Sequence, residues 1–313
     1  MHSVAAASSG TSAVIIAALV SGFGALIVGV LNYRAQGRVV VTARFSQAVA
    51  QLGDENPDVR VGAIYALEQI LHTSRPERRA IIELLVSYVL GHANVAARRD
   101  EQPDDDASLD DLPNLRDWAP DVQAAVVVLS RRPRTTMREA LRGSGDDHFH
   151  NPYGSAIIHV GHADLRRAEL AHADLSRTKL YHVRFERAVL HRANLKRADL
   201  SRAHLERADL GDSTLIETKL VGALLTEADL GGARLRGANL AEADLSRAGL
   251  KYADLRDANL RGALLEHAMD LADAKLAGAH ADEDTTWPRD FLPADHGVKV
   301  ANTEGRSLSA AGA

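Results

Sequence analysis

A five-residue period of apolar positions dominates the second half of the chain. From 165 to 265, leucine stands at every fifth position except Phe185, and alanine fills 17 of the 21 positions that lie two residues earlier in each step. An α-helix would spread these leucines around its circumference, and a flat strand would send them alternately to opposite faces. A coil with four five-residue sides lets every leucine and alanine point inward. The pattern therefore predicts a β-solenoid of stacked coils, each about 20 residues long.

The predicted solenoid covers residues 159–283, and its interior is narrow. Alanine is expected at the second inward position because opposite sides of a coil must share little space. Near Met269 the leucine pattern shifts by one residue, which predicts a bulge or a loosened last coil. The residues assigned to the structural core are Leu165, Leu170, Leu175, Leu180, Phe185, Leu190, Leu195, Leu200, Leu205 and Leu210.

The first part of the chain carries a long apolar run. Residues 3–33 hold no charged side chain, and the 19 positions from 13 to 31 would reach about 28 Å as a helix, close to the thickness of a hydrocarbon core. We assign residues 1–11 to an N-terminal tail and 12–33 to a transmembrane helix. A cleaved signal peptide is the alternative, but the basic segment that such a peptide needs is missing.

Flanking charges orient this predicted span. Arg34, Arg38 and Arg44 follow the span, and no lysine or arginine precedes it. The positive-inside rule then predicts a single-pass protein of the cell membrane with its C-terminal part in the cytoplasm. Small residues recur every four positions along the span, which allows a homodimer, although such residues are also common in any membrane helix.

Residues 39–132 show helical patterns and are assigned to a helical module. Asn56 and Pro57 are typical of a helix start, Gly53 and Gly91 of helix ends, and Pro120 opens a further helix. An acidic loop is placed at about 98–117, where carboxylates are dense. Residues 133–158 are assigned to a linker and N-terminal cap, with Phe149 and Tyr153 as capping side chains, and residues 284–313 to a C-terminal cap and disordered tail.

The composition excludes several functions. The chain has no cysteine, so disulfides, thiolate nucleophiles and cysteine metal sites are absent. The net charge is −5, which gives no overall support to nucleic-acid binding. His148 and His150 stand in a polar loop, but their spacing fits no zinc pattern, and the Asp104–Asp106 run is interpreted as a linker. We predict no cofactor, no metal site and no enzymatic activity.

The Ala-(Asp/Asn)-Leu steps, as in Ala163-Asp164-Leu165 and Ala193-Asn194-Leu195, resemble the pentapeptide-repeat family. That resemblance covers Ala163 to about Ala268 and implies a right-handed quadrilateral β-helix. The segment from Phe45 to Gly91 is similar to the helical region that often precedes such repeats in actinobacterial proteins. Trp287 and Phe291 resemble the closing segment of the family and are expected to cover the open end of the leucine stack.

A 20-residue coil predicts vertical columns of outward side chains. Arg167, Arg187, Arg207 and Arg247 fall in one column, with Glu227 among them, and are the candidate interaction face. Two interpretations stay open, a solvated face of ion pairs or a ladder of guanidinium groups for an acidic partner or lipid headgroup. His162 and His182 are expected to stack one coil apart on the surface.

Function is predicted from these features together. We expect a non-enzymatic scaffold for protein–protein interaction, held at the cytoplasmic face of the membrane, with an unidentified protein partner. The alternative, which the family resemblance implies, is a DNA-mimicking protector or inhibitor of DNA gyrase. Between 160 and 270 there are 18 lysines and arginines against 17 aspartates and glutamates, so this segment is a poor copy of a polyanion.

Overall fold

The computed structural model describes residues 43–74, 77–93, 113–131 and 158–301. Among these residues, no helix is both long and apolar enough to cross a membrane. The predicted tail at 1–11 and the predicted span at 12–33 lie outside the described residues, as do His148, His150 and the capping side chains Phe149 and Tyr153.

The described chain forms two compact units, and the first is helical. It contains the described residues up to Tyr88 and those from Ala119 to 131. Asn56 accepts a hydrogen bond from the Asp58 N–H (2.8 Å) and caps the second helix, as the Asn-Pro pair predicted. The second helix packs against the first and the fifth. The helices of the described chain are α1 (Ala43–Gln51), α2 (Pro57–Thr73), α3 (Arg78–His92), α4 (Leu115–Trp118) and α5 (Pro120–Ser130).

A buried carboxylate joins three helices of this unit. Asp121, only 1% exposed at the start of α5, accepts hydrogen bonds from the Arg60 Nε (2.8 Å) of α2 and from the Tyr88 hydroxyl of α3. Burial, followed by the charge of Asp121, raises the pKa of Tyr88, so the phenol stays protonated as a donor. A buried charge without these partners would be costly, so the three side chains fix how the helices meet.

The second unit contains a solenoid whose repeating step is five residues long. Each step has one outward residue that forms a parallel bridge with the residue 20 positions later, as in Asp164↔Arg184 and Arg184↔His204. The Leu165 N–H donates to the Arg184 carbonyl (2.8 Å), and the Arg184 N–H donates to the Ala163 carbonyl (2.9 Å). Four such sides make a coil, and this is the quadrilateral β-helix that the repeat predicted.

Tight turns form the corners between these sides. The Ala168 N–H donates to the Leu165 carbonyl (3.1 Å), and the third residue of the turn, Arg167, has a left-handed φ of 54°. The second turn residue would leave its N–H without an acceptor in the ladder. An aspartate or asparagine two positions earlier supplies one, as in Ser201 N–H to Asp199 Oδ1 (3.2 Å) and Gly211 N–H to Asp209 Oδ1 (3.0 Å). This bond explains why aspartate and asparagine precede so many of the repeated leucines.

The interior is closed on all sides by these steps. The ten residues assigned to the core, from Leu165 to Leu210, are at most 2% exposed, and the alanines beside them are equally buried along most of the solenoid. Thr178 and Thr218 replace alanine where their hydroxyls can donate to the carbonyls of Leu175 (2.6 Å) and Leu195 (2.7 Å). A buried hydroxyl with a partner avoids the cost of an unsatisfied polar group.

The first coil is completed by a distant part of the chain. The Ala93 carbonyl accepts from the Asp164 N–H (2.5 Å), and the Leu115 N–H donates to the Arg167 carbonyl (3.5 Å). The second unit accordingly includes the described residues between Val89 and Trp118. The single helical module predicted at 39–132 is therefore divided, and the short helix α4 forms inside the predicted acidic loop at about 98–117. The side chain of Leu115 is fully buried, and this burial stabilises α4 within the segment predicted to be a loop.

The last coils take up extra residues and then end in a strand pair. After Met269 the bridge spacing grows from 20 to 21 residues, as in Asp254↔Lys275, and Asp270 absorbs the insertion with a left-handed φ of 55°. A 3-10 turn at Leu271–Asp273 follows, then β1 (His280–Asp282), a 3-10 turn at Pro293–His296, and β2 (Lys299–Ala301). Part of the tail that was predicted to be disordered within 284–313 thus forms β2, which pairs in parallel with β1 because the strand edge needs a partner. Residues 302–313 lie outside the described part.

Candidate interaction face

The arginines of the predicted face lie at one corner of successive coils. Arg167, Arg187, Arg207 and Arg247 each take the third position of a turn, with φ between 54° and 58°. Residues other than glycine are uncommon in this conformation, and here the bonds of the turn and ladder hold them in it. Stacking every 20 residues places these long cationic side chains above one another along the edge of the solenoid.

Three of these arginines line a groove with a volume of about 520 Å³. Bridge-forming residues of the adjoining side, Glu169 and Val189, also line the groove, as does Asn114 from a distant segment. The lining has three guanidinium groups and one carboxylate, and Arg207 is also paired with Glu227 outside the lining (2.7 Å). One net positive charge remains, which favours an anionic ligand. We call this site the arginine groove, defined by Asn114, Arg167, Glu169, Arg187, Val189 and Arg207.

The remaining part of the column is an ion-pair chain. Glu227 accepts from the Arg207 Nε (2.7 Å) on one side and from the Arg247 Nη1 (3.4 Å) on the other. The hydrogen bond from Arg207, followed by its charge, holds the pKa of Glu227 below its usual value. The sequence left open whether the column was salt-bridged or a guanidinium ladder. In the structure the two arrangements occur at different points of the column: salt bridges surround Glu227, whereas Arg167 and Arg187 line the groove.

Ion pairs between coils also occur at other corners. Arg192 lies 3.4 Å from Asp212, and Arg236 lies 3.3 Å from Asp257, in both cases with side chains more than half exposed. Exposed pairs of this kind contribute about 0–1 kcal/mol each and are a common way to cover a solvated surface. These ion pairs do not indicate a binding site for any particular ligand, so the candidate face remains the arginine groove.

Two other predicted features are placed as follows. His162 and His182 stack with their ring centroids 4.9 Å apart and 8° between their planes. Burial, then the charges of His162, Arg202 and His204, lower the pKa of His182. The capping side chains Trp287 and Phe291 stack on each other at 5.3 Å, and Phe291 also stacks on His296 at 4.5 Å.

Sequence reasoning missed part of the groove and one cluster. The 20-residue column rule could have found Glu169 and Val189, since they follow the arginine corner by two residues. Nothing in the local pattern indicates Asn114, which reaches the solenoid from a distant segment. Glu186, His204 and Glu206 bring one possible metal-ligand atom each within 4.8 Å of one another, the kind of cluster the sequence predicted nowhere.

Comparison with known proteins identifies the repeats. The pattern described as pentapeptide repeats, in eight copies, matches residues 160–192, 193–232 and 228–266. A search of the curated proteins found no match to this chain.

Solved structures with similarity to the chain carry the same repeat. HetL, a pentapeptide repeat protein involved in heterocyst differentiation regulation from the cyanobacterium Nostoc, is 26% identical over 48% of this chain and 85% of its own, with a TM-score of 0.31. Another pentapeptide repeat protein from Nostoc is 40% identical over 31% of this chain and 84% of its own, with a TM-score of 0.24. QnrB1, a plasmid-mediated fluoroquinolone resistance protein, is 21% identical over 44% of this chain and 80% of its own, with a TM-score of 0.26.

Proposed function

Because this chain belongs to the pentapeptide-repeat family, we propose that it is a non-enzymatic platform that binds an acidic segment of a protein partner in the arginine groove. Proteins of this family are generally structural or interaction proteins. The observation that carries the proposal is the stacking of Arg167, Arg187 and Arg207 along one groove of about 520 Å³.

The solenoid suits this role because its surface is held rigidly. The N–H groups of Arg167, Arg187 and Arg207 donate to carbonyls of the next coil at 2.9–3.0 Å, so the backbone sets the spacing along the column. Guanidinium groups at this spacing can each form a charge-assisted pair with a carboxylate, and paired N–H groups give such contacts directionality. An extended acidic segment could therefore contact several coils without reorganising the protein.

Membrane attachment is the second part of the proposal. The apolar run at 12–33 and the arginines that follow it support an anchor that presents the solenoid on the cytoplasmic side. Fractionation of the full chain, compared with a variant that lacks residues 1–33, tests this. If residues 12–33 anchor the protein, only the full chain should stay in the membrane fraction after extraction with high salt and carbonate.

A DNA-mimicking role at gyrase is disfavoured by the charges of the solenoid. DNA mimicry needs a nearly continuous array of negative groups, whereas this solenoid places arginines along the column of its candidate face and is close to neutral between 160 and 270. A supercoiling assay separates the two functions. Inhibition of gyrase, or its protection from a quinolone, at sub-micromolar protein would favour mimicry over the platform.

The groove itself is tested with a labelled acidic peptide and fluorescence anisotropy. Arg187→Ala is the test variant, and Arg247→Ala is the matched control, because Arg247 occupies the same column and turn position but lies outside the groove lining. Loss of one charge-assisted pair worth about 1.5–3 kcal/mol weakens binding by roughly tenfold or more. We expect that loss for Arg187→Ala and a change of no more than about twofold for Arg247→Ala. Equal effects of the two substitutions would contradict a site in the groove.

A further inference from the structure

Successive coils place a charged pair at the same point of one side of the solenoid. In each pair an arginine or a histidine stands two positions from an aspartate or a glutamate. Arg166 Nη2 lies 2.7 Å from Asp164 Oδ2 in the first coil, and Arg184 Nε lies 3.0 Å from Glu186 Oε1 in the second. In the third coil an imidazole replaces the guanidinium, with His204 Nδ1 3.5 Å from Glu206 Oε1. The fourth coil has Leu224 and Thr226 at these positions, so the series ends there.

The two glutamates bring buried oxygen atoms to the third coil. Glu186 is 4% exposed, and its Oε2 has no hydrogen-bond partner among the described residues. Glu206 Oε2 is also buried and lacks a partner there. A buried carboxylate oxygen without a partner costs about 1–3 kcal/mol or more, so two neighbouring ones call for a compensating cation or proton.

The electrostatics of the cluster point the same way. Burial raises the pKa of Glu186, and the neighbouring charge of Glu206 adds to this effect, although Arg184 opposes it. The bond to Glu206 raises the pKa of His204. Two carboxylates with buried oxygen atoms this close together repel each other, and a divalent cation would neutralise both.

From this geometry we propose that Glu186, His204 and Glu206 form a binding site for a divalent transition metal of the Zn²⁺ type. One nitrogen and two oxygen donors match the ligand types and ligand number of a three-ligand zinc site, and the half-exposed His204 leaves the cluster accessible from solvent. Zinc bonds of about 2.0–2.2 Å place neighbouring ligands about 3.3 Å apart in a tetrahedron, so donors now within 4.8 Å would have to approach one another by up to about 1.5 Å. Arg184 would act as an outer partner by donating to Glu186 Oε1 (3.0 Å).

This site differs from the carboxylate–histidine clusters that occur on the solvated surface. His191 lies 3.6 Å from Asp209 and 3.9 Å from Asp212, but all three side chains are more than a third exposed. Water can satisfy those oxygens, and no buried orphan atom is found among them. His191 therefore supplies a matched control of the same chemistry.

The test uses the full chain, stripped with a chelator and titrated with Zn²⁺ against a chromophoric competitor. We expect one site whose affinity falls at least about tenfold in both His204→Ala and Glu186→Gln and changes less than about twofold in His191→Ala. Glu186→Gln keeps the shape of the side chain, and His204 is half exposed, so both variants should fold, which far-UV circular dichroism checks. Co²⁺ provides a second readout, because a nitrogen–oxygen site gives a visible absorption that His204→Ala abolishes.

Two results would overturn the proposal. One is equal zinc affinity of the parent and His204→Ala, which would leave the buried carboxylates to be neutralised by a proton. The other is an equal loss in His191→Ala, which would assign binding to exposed groups. Neither result bears on the arginine groove, because Glu186, His204 and Glu206 are not part of its lining.

Discussion

Adjacent leucines on opposite sides of the solenoid wall provide a direct test of the inward and outward alternation. Leu265 is fully buried in the interior, whereas Leu264, the preceding residue, forms a bridge on the outside and is 42% exposed. The same substitution by alanine at each position changes composition identically. Any difference in stability then reports on the environment alone.

The magnitude follows from what alanine leaves behind. Leu265→Ala removes three buried carbon atoms, worth about 0.8 kcal/mol each for transfer alone, and adds the cost of a cavity. Ladder bonds hold the wall in place, including Leu265 N–H to the Thr286 carbonyl (2.9 Å), so the cavity cannot collapse far. We expect a loss of about 3–4 kcal/mol for Leu265→Ala, within the usual range of 2–5, and about 0.5 kcal/mol or less for Leu264→Ala.

Trp287 provides the assay. It follows Thr286, the bridge partner of Leu264, and one other tryptophan, Trp118, is present in the chain. In a Trp118→Phe background, fluorescence during urea unfolding reports on this end of the solenoid, and the shift in midpoint measures the loss. Equal losses for the two substitutions, or a larger loss for Leu264→Ala, would refute the assignment of the repeated leucines to the interior.

Substitutions at four further positions test other parts of the structure. Asp121→Ala should cost about 3–5 kcal/mol by leaving Arg60 and Tyr88 without their shared acceptor, which thermal unfolding would reveal; a loss below about 1 kcal/mol would contradict the role given to this carboxylate. Asp229→Ala should cost about 1 kcal/mol by removing the acceptor of the Gly231 N–H (2.8 Å), whereas Asp229→Asn keeps that acceptor and should lose less in urea unfolding; the reverse order would count against the turn cap. The lowered pKa of His182 means that the unfolded chain binds more protons below about pH 6.5, so stability falls on acidification and His182→Gln should lessen that fall. The raised pKa of His204 acts in the opposite sense, so His204→Gln should make acidification more destabilising; the same pH dependence in both variants would contradict these assignments.

The solenoid could be predicted from the sequence because its geometry follows from a local five-residue period. Once leucine recurs every five residues and four sides close a coil, the columns follow by counting, and Arg167, Arg187 and Arg207 could be placed together without a structure. The Asn56-Pro57 helix start could be predicted for the same reason, since a cap depends on neighbouring residues.

Features that depend on distant contacts could not be predicted. Ala93 and Leu115 bond to the first coil from a segment far from the repeats. Asn114 belongs to the same distant segment and lines the arginine groove. Strand β2 lies in a tail with no apolar period and forms only because β1 offers an edge. Glu186 and Glu266 occupy the same column and look alike in sequence, and only the packing of the corner shows that Glu186 is buried whereas Glu266 is exposed.

Site-specific photo-crosslinking of the labelled acidic peptide tests the platform most directly. A photoreactive phenylalanine analogue would be placed at Val189 in the wall of the arginine groove and, separately, at Tyr252, which is 64% exposed on a different corner. We predict a crosslink from position 189 that disappears in the Arg187→Ala background, and none from position 252. Equal crosslinking from both positions, or a crosslink at 189 that survives Arg187→Ala, would contradict binding in the groove.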